Sequence, residues 1–245
     1  MRSTTRLRAG PDADGTTHAR ELRAEAPQLL RVTDRGGPGR PLTVHLVGGA
    51  AGPLGGDYST FELELEPATR VEVRGVAATL VHPGAVGGRS QAAVDVTLGA
   101  DAHLVWWPEP LIAIAGCDHR LLTTIHLAAG ARLQWVDEVV CGRTDEPGGT
   151  VHLRQRIVLD GRPVADHDLV VGPAASGPGW HGDRRVLVTA VEIGGLADPA
   201  ARPPILEGAV RAARLTPEPG VTLWVAVGDA LESVRAALAT LGLRR

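Results

Sequence analysis

The 245-residue sequence contains no lysine and no asparagine, only two cysteines and only seven aromatic residues of the Phe, Trp and Tyr types. All 25 basic residues are therefore arginine, against 28 acidic residues, and the formal net charge of −3 argues against a basic nucleic-acid-binding surface. Two cysteines do not make a disulfide scaffold, which favours a reducing, cytoplasmic location. No apolar run approaches the roughly 18–20 residues of a membrane span, and the polar first twenty residues predict no secretory signal.

Signatures of catalysis are also missing from the sequence. A phosphate-binding P-loop needs a lysine, and neither GxxxxGK[ST] nor GxGxxG occurs. There is no GxSxG elbow for a nucleophilic serine, and neither cysteine lies in a local protease signature. The sequence therefore predicts a protein without catalytic residues.

Alternation of apolar and polar residues dominates the middle of the chain. Residues 61–66 read FELELE, residues 71–74 read VEVR and residues 94–98 read VDVTL. A period of two puts one face of a strand in a core and the other in water. The pattern predicts a mainly β protein whose core is built from Val, Leu, Ala and Ile.

A weak internal repeat accompanies the alternation. The segments LEPATRVEV (65–73), LGADAHLVW (98–106) and LAAGARLQW (127–135) align as strand, short turn and strand. A spacing near 30 residues indicates stacked coils, as in a β-helix or solenoid, and a β-sandwich is the alternative. Residues 156–167 add a hairpin with Asp160 and Gly161 at its turn.

The two ends of the chain differ from this β-rich middle. Residues 1–18 are polar and are predicted to be a flexible start, or a strand added late, before a solenoid-like core over 19–195. Residues 196–245 are predicted to be a helical part of the same domain. One helix follows Asp229 as its N-cap and stops at Gly242, and a shorter one covers about 204–215.

Two local clusters are candidates for binding a metal. Gly55 and Gly56 allow a tight turn that holds the carboxylate of Asp57 in a fixed place. Cys117, His119 and His126 are close in sequence, and a strand would put the first two on one face. The spacing of the Cys and His residues matches no common zinc pattern, so a turn cysteine and a surface histidine are the alternative for this cluster. For Gly55, Gly56 and Asp57 the alternative is an ordinary turn.

Four ordered segments resemble the UreD/UreH family of urease accessory proteins. The quoted stretches are LVGGAAGPLGGDYSTFELELEPATRVEVRGVAATLVHPGA (46–85), HLVWWPEPLIAIAGCDHRLLTTIHL (103–127), ARLQWVDEVVCGRTDE (131–146) and LRQRIVLDGRPVADHDLVV (153–171). Together the resemblance covers roughly residues 19–195. Two elements depart from the family pattern, because VGGR replaces an aromatic-Lys element at 86–89 and GGAA replaces a Pro-Pro at 48–51.

The resemblance implies a β-helix-like stack with C-terminal helices and a non-enzymatic role in urease maturation. Family members are scaffolds that bind the helical accessory protein UreF, which recruits the nickel-carrying GTPase UreG. The assembly sits on apo-urease and passes nickel inward through an internal channel. The expectations are therefore a nickel-insertion chaperone with no tightly bound cofactor, transient contact with nickel, and no nucleic-acid or membrane partner.

Carboxylates suit such a conduit, because they bind borderline metals weakly enough to release them. Asp57 matches the family's Gly-Gly-Asp, and Asp145 with Glu146, after Gly142 and Arg143, matches a second acidic position. Solvated turn carboxylates are the alternative for all three acids. Two other functions stay open at this point: a β-rich interaction module without metal transfer, and a carbohydrate-active β-helix enzyme.

Overall fold

The structure is a computed structural model that describes residues 1–85, 87–173, 175, 184–195, 202–206 and 208–245. Seventeen strands and one α-helix form within these residues. The strands make a β-solenoid-like stack of two sheets, which confirms the mainly β prediction. In this described part of the chain no helix is long and apolar enough to cross a membrane.

Sheet A has seven strands, in the order β14-β13-β11-β8-β5-β1-β2 given by the following ranges. They are β1 (Arg2–Pro11), β2 (Thr17–Arg23), β5 (Tyr58–Leu65), β8 (Arg89–Leu98), β11 (Asp118–Leu127), β13 (Thr150–Leu159) and β14 (Arg162–Val171). The five central strands are parallel. The two outer strands, β2 and β14, pair antiparallel.

Sheet B has ten strands, eight of them in one path. They are β3 (Gln28–Asp34), β4 (Leu42–Gly48), β6 (Arg70–Gly75), β7 (Thr79–Val81), β9 (His103–Trp107), β10 (Leu111–Ala113), β12 (Arg132–Cys141), β15 (Val186–Ile193), β16 (Val210–Glu218) and β17 (Val221–Gly228). The path is β16-β17-β15-β12-β9-β6-β4-β3, and the short strands β7 and β10 pair with each other and β10 with β12.

The repeat seen in the sequence is the turn that carries the chain from sheet A to sheet B. It joins β5 to β6, β8 to β9 and β11 to β12. The fourth residue of each repeat, Ala68, Asp101 and Gly130, has a left-handed backbone with φ of 58°, 57° and 74°. The first residue is a leucine buried between the sheets in each case. Stacking of equivalent turns confirms the prediction of coils.

The predicted hairpin is also present. Of the two predictions for residues 1–18, a flexible start or an added strand, the structure shows a strand. Asp160 and Gly161 connect β13 to β14 with φ of 48° and 76°, the values of a type I′ turn. Residues 2–11 form β1, which lies between β2 and β5. Its alternate side chains are buried, with Leu7 fully enclosed, so burial overrides the polar composition of this segment.

The C-terminal prediction of helices is only partly right. Within the described residues there is one helix, α1 (Leu231–Thr240). The helix expected over about 204–215 is wrong, because residues 210–218 form β16 and complete the free edge of β17. Helix-favouring Ala, Arg and Leu residues do not prevent strand pairing at an edge that would otherwise stay open.

The structure corrects the predicted N-cap of α1 and confirms the predicted glycine after its C-terminal end. Ala230, not Asp229, is the N-cap, and no side chain caps the helix. The carboxylate of Asp229 instead accepts a hydrogen bond from Arg184. Gly242, with φ of 94°, follows the C-cap as predicted, and Leu243 N donates to Leu238 O at 3.0 Å, which closes the last turn.

Three buried apolar clusters hold the stack together. The largest fills the space between the two sheets, and a third lies around Cys117 and Cys141. The second joins the outer face of sheet B to α1, where Val234 and Leu238 pack near Trp224. Burying each such Val or Leu contributes roughly 1.5–3 kcal/mol. The same packing positions the charged side chains of α1 over β12.

Candidate functional site

A cavity of about 390 Å³ lies between the two sheets. Small side chains of sheet A, including Ser3, Ser59 and Ala92, leave the space open where larger residues fill the rest of the core. Trp106 and Trp135, whose rings stack with centroids 4.5 Å apart, form the opposite wall. Polar groups reach into this space from both sheets.

Asp137 is the buried carboxylate of the cavity. The inner face of β12 carries Trp135, Asp137 and Val139, and Asp137 is only 9% exposed. Its Oδ2 accepts hydrogen bonds from Trp135 Nε1 at 2.9 Å and Gln155 Nε2 at 3.2 Å. Burial raises the pKa of Asp137 to about 6, although the bond from Trp135 opposes the shift.

Two further buried polar side chains belong to this region, Gln155 beside Asp137 and His119 in the wall of the cavity. Gln155 Oε1 is buried and has no hydrogen-bond partner within the described residues. His119, 1% exposed, lines the cavity and its Nδ1 lies 2.8 Å from Ser90 Oγ. Burial lowers the pKa of His119 to about 4, so the imidazole is neutral at pH 7. The region therefore offers carboxylate and amide oxygens and a neutral imidazole nitrogen, with no positive charge on these three side chains.

Sheet B is interrupted beside Asp137. β12 pairs with β9 through residues 132–135 and with β10 through residues 139–141, so residues 136–138 have no strand partner on that side. The facing segment, 108–110, reads Pro-Glu-Pro, and proline has no N–H to donate to a ladder. We call the gap bounded by residues 76–78, 108–110 and 136–138 the window.

The cavity extends to the window, and the end of the chain lies over it. Ala77, Ala78, Pro108 and the acids Glu109 and Glu138 line the cavity there. These two acids belong to segments 108–110 and 136–138, which face each other across the gap. The inner carboxylate, on Asp137, thus has two acidic neighbours nearer the outer face of sheet B.

Arginines from α1 and the tail hold both outer acids. Arg235 of α1 donates to Glu138 through Nε at 2.9 Å and Nη2 at 2.5 Å, and Trp107 Nε1 donates to the same carboxylate at 3.3 Å. Arg235 Nη2 is also 3.5 Å from Glu109, which accepts a bond of 2.5 Å from Arg245. Burial alone would raise the pKa of Glu109, but Arg245 and Arg235 lower it below its ordinary value.

The structure places the predicted Asp57 in the turn before β5. Its Oδ2 accepts a bond from Leu54 N at 2.9 Å, and its Oδ1 lies 2.6 Å from the amino group of Met1. Burial opposes ionisation, but these two partners outweigh it and lower the pKa of Asp57. The geometry is that of a turn cap, with Gly52 of the same loop at the cavity wall.

The preceding glycines are needed by close packing and by backbone conformation. A Cβ on Gly55 would lie 2.0 Å from Pro83 O, closer than any side chain tolerates. Gly56 has φ of 87°, a left-handed conformation that favours glycine. The Gly-Gly-Asp motif is therefore a structural turn whose role in metal passage stays a prediction.

The second acidic position forms a separate turn after β12. Glu146 accepts bonds from Arg143 N at 3.1 Å and Nε at 2.8 Å, and from Ala115 N at 3.4 Å. The bond from Arg143 lowers the pKa of Glu146 to about 2, although burial opposes the shift. Asp145 is exposed with φ of 59°, and Gly142 has φ of 78°. None of these residues lines the cavity.

The predicted Cys117, His119 and His126 cluster does not come together. Cys117 and His119 are buried, whereas His126 is exposed on the outer face of β11. Burial raises the pKa of Cys117 to about 11, with a smaller contribution from the neighbouring Cys141. In the described part of the chain no three His, Cys, Asp or Glu side chains are grouped to hold a metal ion.

Sequence reasoning missed Asp137, Glu138 and Glu109. The signal for Asp137 is its place in the alternating series Leu133, Trp135, 137, Val139, in which every other member is a buried apolar residue. An acid in such a series faces the core. Glu138 and Glu109 give no comparable signal, because their arginine partners are 97 and 136 residues away.

Aromatic side chains do not form a sugar-binding surface in the described residues. Trp106, Trp107, Trp135 and Trp224 are each at most 6% exposed. Tyr58, at 40% exposure, is the exposed aromatic side chain in this part of the chain. The carbohydrate-active alternative needs exposed rings beside carboxylates, and this arrangement does not favour it.

The fold and the cavity define a class of β-solenoid-like proteins with a chamber between two sheets that contains a few polar side chains. Known proteins match the chain over most of its length, and the UreD urease accessory protein family matches residues 2–244. The urease accessory protein UreD of Parafrankia sp. (strain EAN1pec) is 39% identical over 213 residues, which cover 85% of this chain and 70% of that protein.

Two further relatives give the same result. UreD of Streptomyces coelicolor is 39% identical over 182 residues, covering 74% of this chain and 70% of the relative. UreD of Frankia casuarinae is 34% identical over 259 residues, covering 94% of this chain and 79% of the relative. The chain belongs to the UreD family of urease accessory proteins, and its role is an accessory one in urease maturation.

Proposed function

We propose that this protein is a non-catalytic scaffold of urease maturation and that nickel on its way to the urease active site passes through the cavity between the sheets. The observation that carries the proposal is the buried Asp137 carboxylate in that cavity. A carboxylate without a bonded cation inside a protein is costly, so a fold that retains one there needs a reason other than stability.

The donors around Asp137 suit an ion that must leave again. Carboxylate and amide oxygens with a neutral imidazole can bind a borderline metal such as Ni²⁺. Tight retention would need several ligands in a closed geometry, and the described residues contain no group of three such ligands. Asp137, Gln155 and His119 are therefore proposed as transient contacts rather than a resident nickel site.

The partners follow from family membership. We infer that the chain works in one assembly with the helical protein UreF, the nickel-carrying GTPase UreG and apo-urease. Co-purification of tagged chain with each of the three proteins is the direct test. An isolated chain that supports full urease maturation without them would contradict the scaffold role.

Replacement of Asp137 by Asn tests the nickel path. The substitution removes the charge but keeps the shape and an acceptor for Trp135 Nε1, so the fold and the partner complex should remain. We expect less nickel per urease active site at limiting nickel, measured in cells that lack the wild-type gene. Asp95→Asn, on the exposed outer face of β8, is the matched control and should load fully.

The same experiment separates the alternative function. If Asp137→Asn loads urease with nickel as well as wild type while co-purifying with its partners, the chain acts as an interaction module without metal transfer. If loading falls while co-purification is unchanged, the loss lies in passage of the ion and not in assembly.

A further inference from the structure

We propose that α1 and the tail after it form a lid over the window, latched by Arg235 and Arg245 on Glu138 and Glu109. The lid controls access to the cavity from the outer face of sheet B. The lid proposal makes no assumption about which ion or group enters the cavity, so its test is independent of the nickel proposal.

The window is the break in the strand pairing of sheet B that the lid closes. The ladder of sheet B is broken along residues 136–138 of β12, where the opposite segment contains two prolines. Residues from both edges of the gap line the cavity. Asp137 lines the cavity on the inner face of sheet B. Helix α1 packs on the outer face of the same sheet against β15, β16 and β17, from where Arg235 reaches Glu138 at the edge of the window.

The latch differs from the ordinary surface ion pairs of this protein. The Glu138 side chain is 1% exposed, against 29% for Glu218, which pairs with Arg162 on the surface. A carboxylate this deeply buried depends on its cation, since an unpaired buried charge is strongly destabilising. Arg245 adds a second bond at Glu109 and lies with its Cζ 5.7 Å from the centre of the Trp107 ring.

Apolar packing holds the helix and the tail, because Val234, Leu238, Leu241 and Leu243 are buried in the second apolar cluster, and two side-chain bonds to the backbone of the tail add to it. Gln134 Nε2 donates to Arg244 O at 2.7 Å, and Trp224 Nε1 donates to Leu241 O at 3.2 Å. No strand of sheet B continues through α1, so moving the helix outward breaks side-chain contacts without breaking a ladder. Opening of the lid therefore exposes this apolar cluster but leaves the ladders of both sheets intact, so the open state is a minor one in the latched protein.

A cysteine placed inside the cavity measures the opening. Ser59→Cys is nearly isosteric, and Ser59 lines the cavity from sheet A with intermediate exposure. Its rate of reaction with iodoacetamide, followed site by site by peptide mass spectrometry, reports access. Cys117 and Cys141, 3% and 6% exposed, serve as internal controls, because they react only when the structure opens more widely.

Breaking the latch should accelerate labelling of the reporter alone. With Arg235→Gln and Arg245→Gln in the Ser59→Cys chain we expect a rise of about tenfold or more, the change that follows a shift of about 1.4 kcal/mol in the opening equilibrium. The matched control, Arg6→Gln with Arg162→Gln, removes two exposed arginines that pair with acids elsewhere and should leave the rate unchanged. Equal rates in latch and control variants would overturn the lid, as would a reporter that already reacts as fast as an exposed cysteine.

Hydrogen exchange of the wild-type chain provides a second measurement that needs no substitution. We expect the amides of α1 to exchange before those of β12 and β15. If α1 exchanges only together with these strands, the helix does not open separately and the proposal fails.

Discussion

At the scale of single residues, Asp137 shows how a side chain can be kept at a cost in stability. Its pKa of about 6 means that the folded state favours the protonated carboxyl. Such a group stabilises the fold fully below its unfolded pKa of about 3.9, and that contribution is lost as the pH rises through 6. At neutral pH the ionised Asp137 is thus a net burden on folding.

Replacing Asp137 by Asn should remove that burden. We expect the variant to match wild type near pH 4 and to be more stable by roughly 2–3 kcal/mol near pH 8, the equivalent of a shift of about two pKa units. Urea unfolding at pH 4, 6 and 8 measures the difference. A gap that is the same at all three pH values would contradict the assignment of the titration to Asp137, and Asp95→Asn should show no such trend.

The pH dependence of stability is opposite for Asp57, because its pKa is lowered in the folded state. Its contribution to stability is present above the ordinary pKa and is lost as the pH falls. We expect Asp57→Ala to cost about 1.5–3 kcal/mol, the usual value for hydrogen bonds to a charged group. Asp57→Asn should cost less, since it keeps an acceptor for Leu54 N.

Nickel loading decides whether Asp57 has a second role. At limiting nickel, equal loading of urease by Asp57→Asn and wild type would leave Asp57 as the cap of a turn. Lower nickel loading with unchanged stability would support a role for Asp57 in nickel passage.

The two acids also show what sequence can and cannot supply. Asp57 was identifiable because adjacent glycines mark a constrained turn, a purely local signal. Asp137 had a readable signal as well, its place in an otherwise apolar alternation, whereas Glu109 and Glu138 became part of a site only through Arg235 and Arg245. Contacts between residues about a hundred positions apart are set by the stacking of coils, which short-range patterns do not encode.

At the scale of elements, the solenoid was predictable because its turns repeat. Ala68, Asp101 and Gly130 occupy the same position of three successive turns with left-handed backbones. Glycine is the residue best suited to that conformation, and Ala carries a penalty from its Cβ. The strand β16 was not predictable in this way, since its pairing with β17 overrides local helix propensity.

A glycine at position 68 should relieve the strain that the left-handed backbone places on Ala68 in the first repeat. Ala68 is exposed, so Ala68→Gly loses little packing and should stabilise the protein by about 1 kcal/mol. Ala100→Gly, exposed one position earlier in the second turn and without a left-handed φ, is the control and should destabilise by about 0.4–1 kcal/mol. Thermal unfolding measures both, and a destabilised Ala68→Gly would mean that the strain lies elsewhere.

At the scale of the whole molecule, the third apolar cluster connects the two sheets around the free thiols of Cys117 and Cys141. Burial raises both thiol pKa values to about 11. Thiolate, the reactive form, is therefore scarce at pH 8. The pair can report on the integrity of the entire stack.

Both native thiols should resist modification until the molecule unfolds. We expect iodoacetamide to label them roughly 100-fold or more slowly in buffer at pH 8 than in strong urea, from the difference in thiolate fraction alone. Labelling of Cys117 and Cys141 should also rise together across a urea titration. Early labelling of one thiol would show that the stack opens in parts.

The order of strands in the two sheets has a consequence for synthesis on the ribosome. The hairpins β1–β2 and β3–β4 involve neighbouring strands, and from β5 to β15 each strand of the main path has a partner that precedes it in the chain. A growing chain can therefore add coil after coil to a template that is already in place, as domains that fold from the N-terminus during translation do. Helix α1 follows every strand that it covers, so the window lies open on the nascent chain for as long as α1 is inside the exit tunnel.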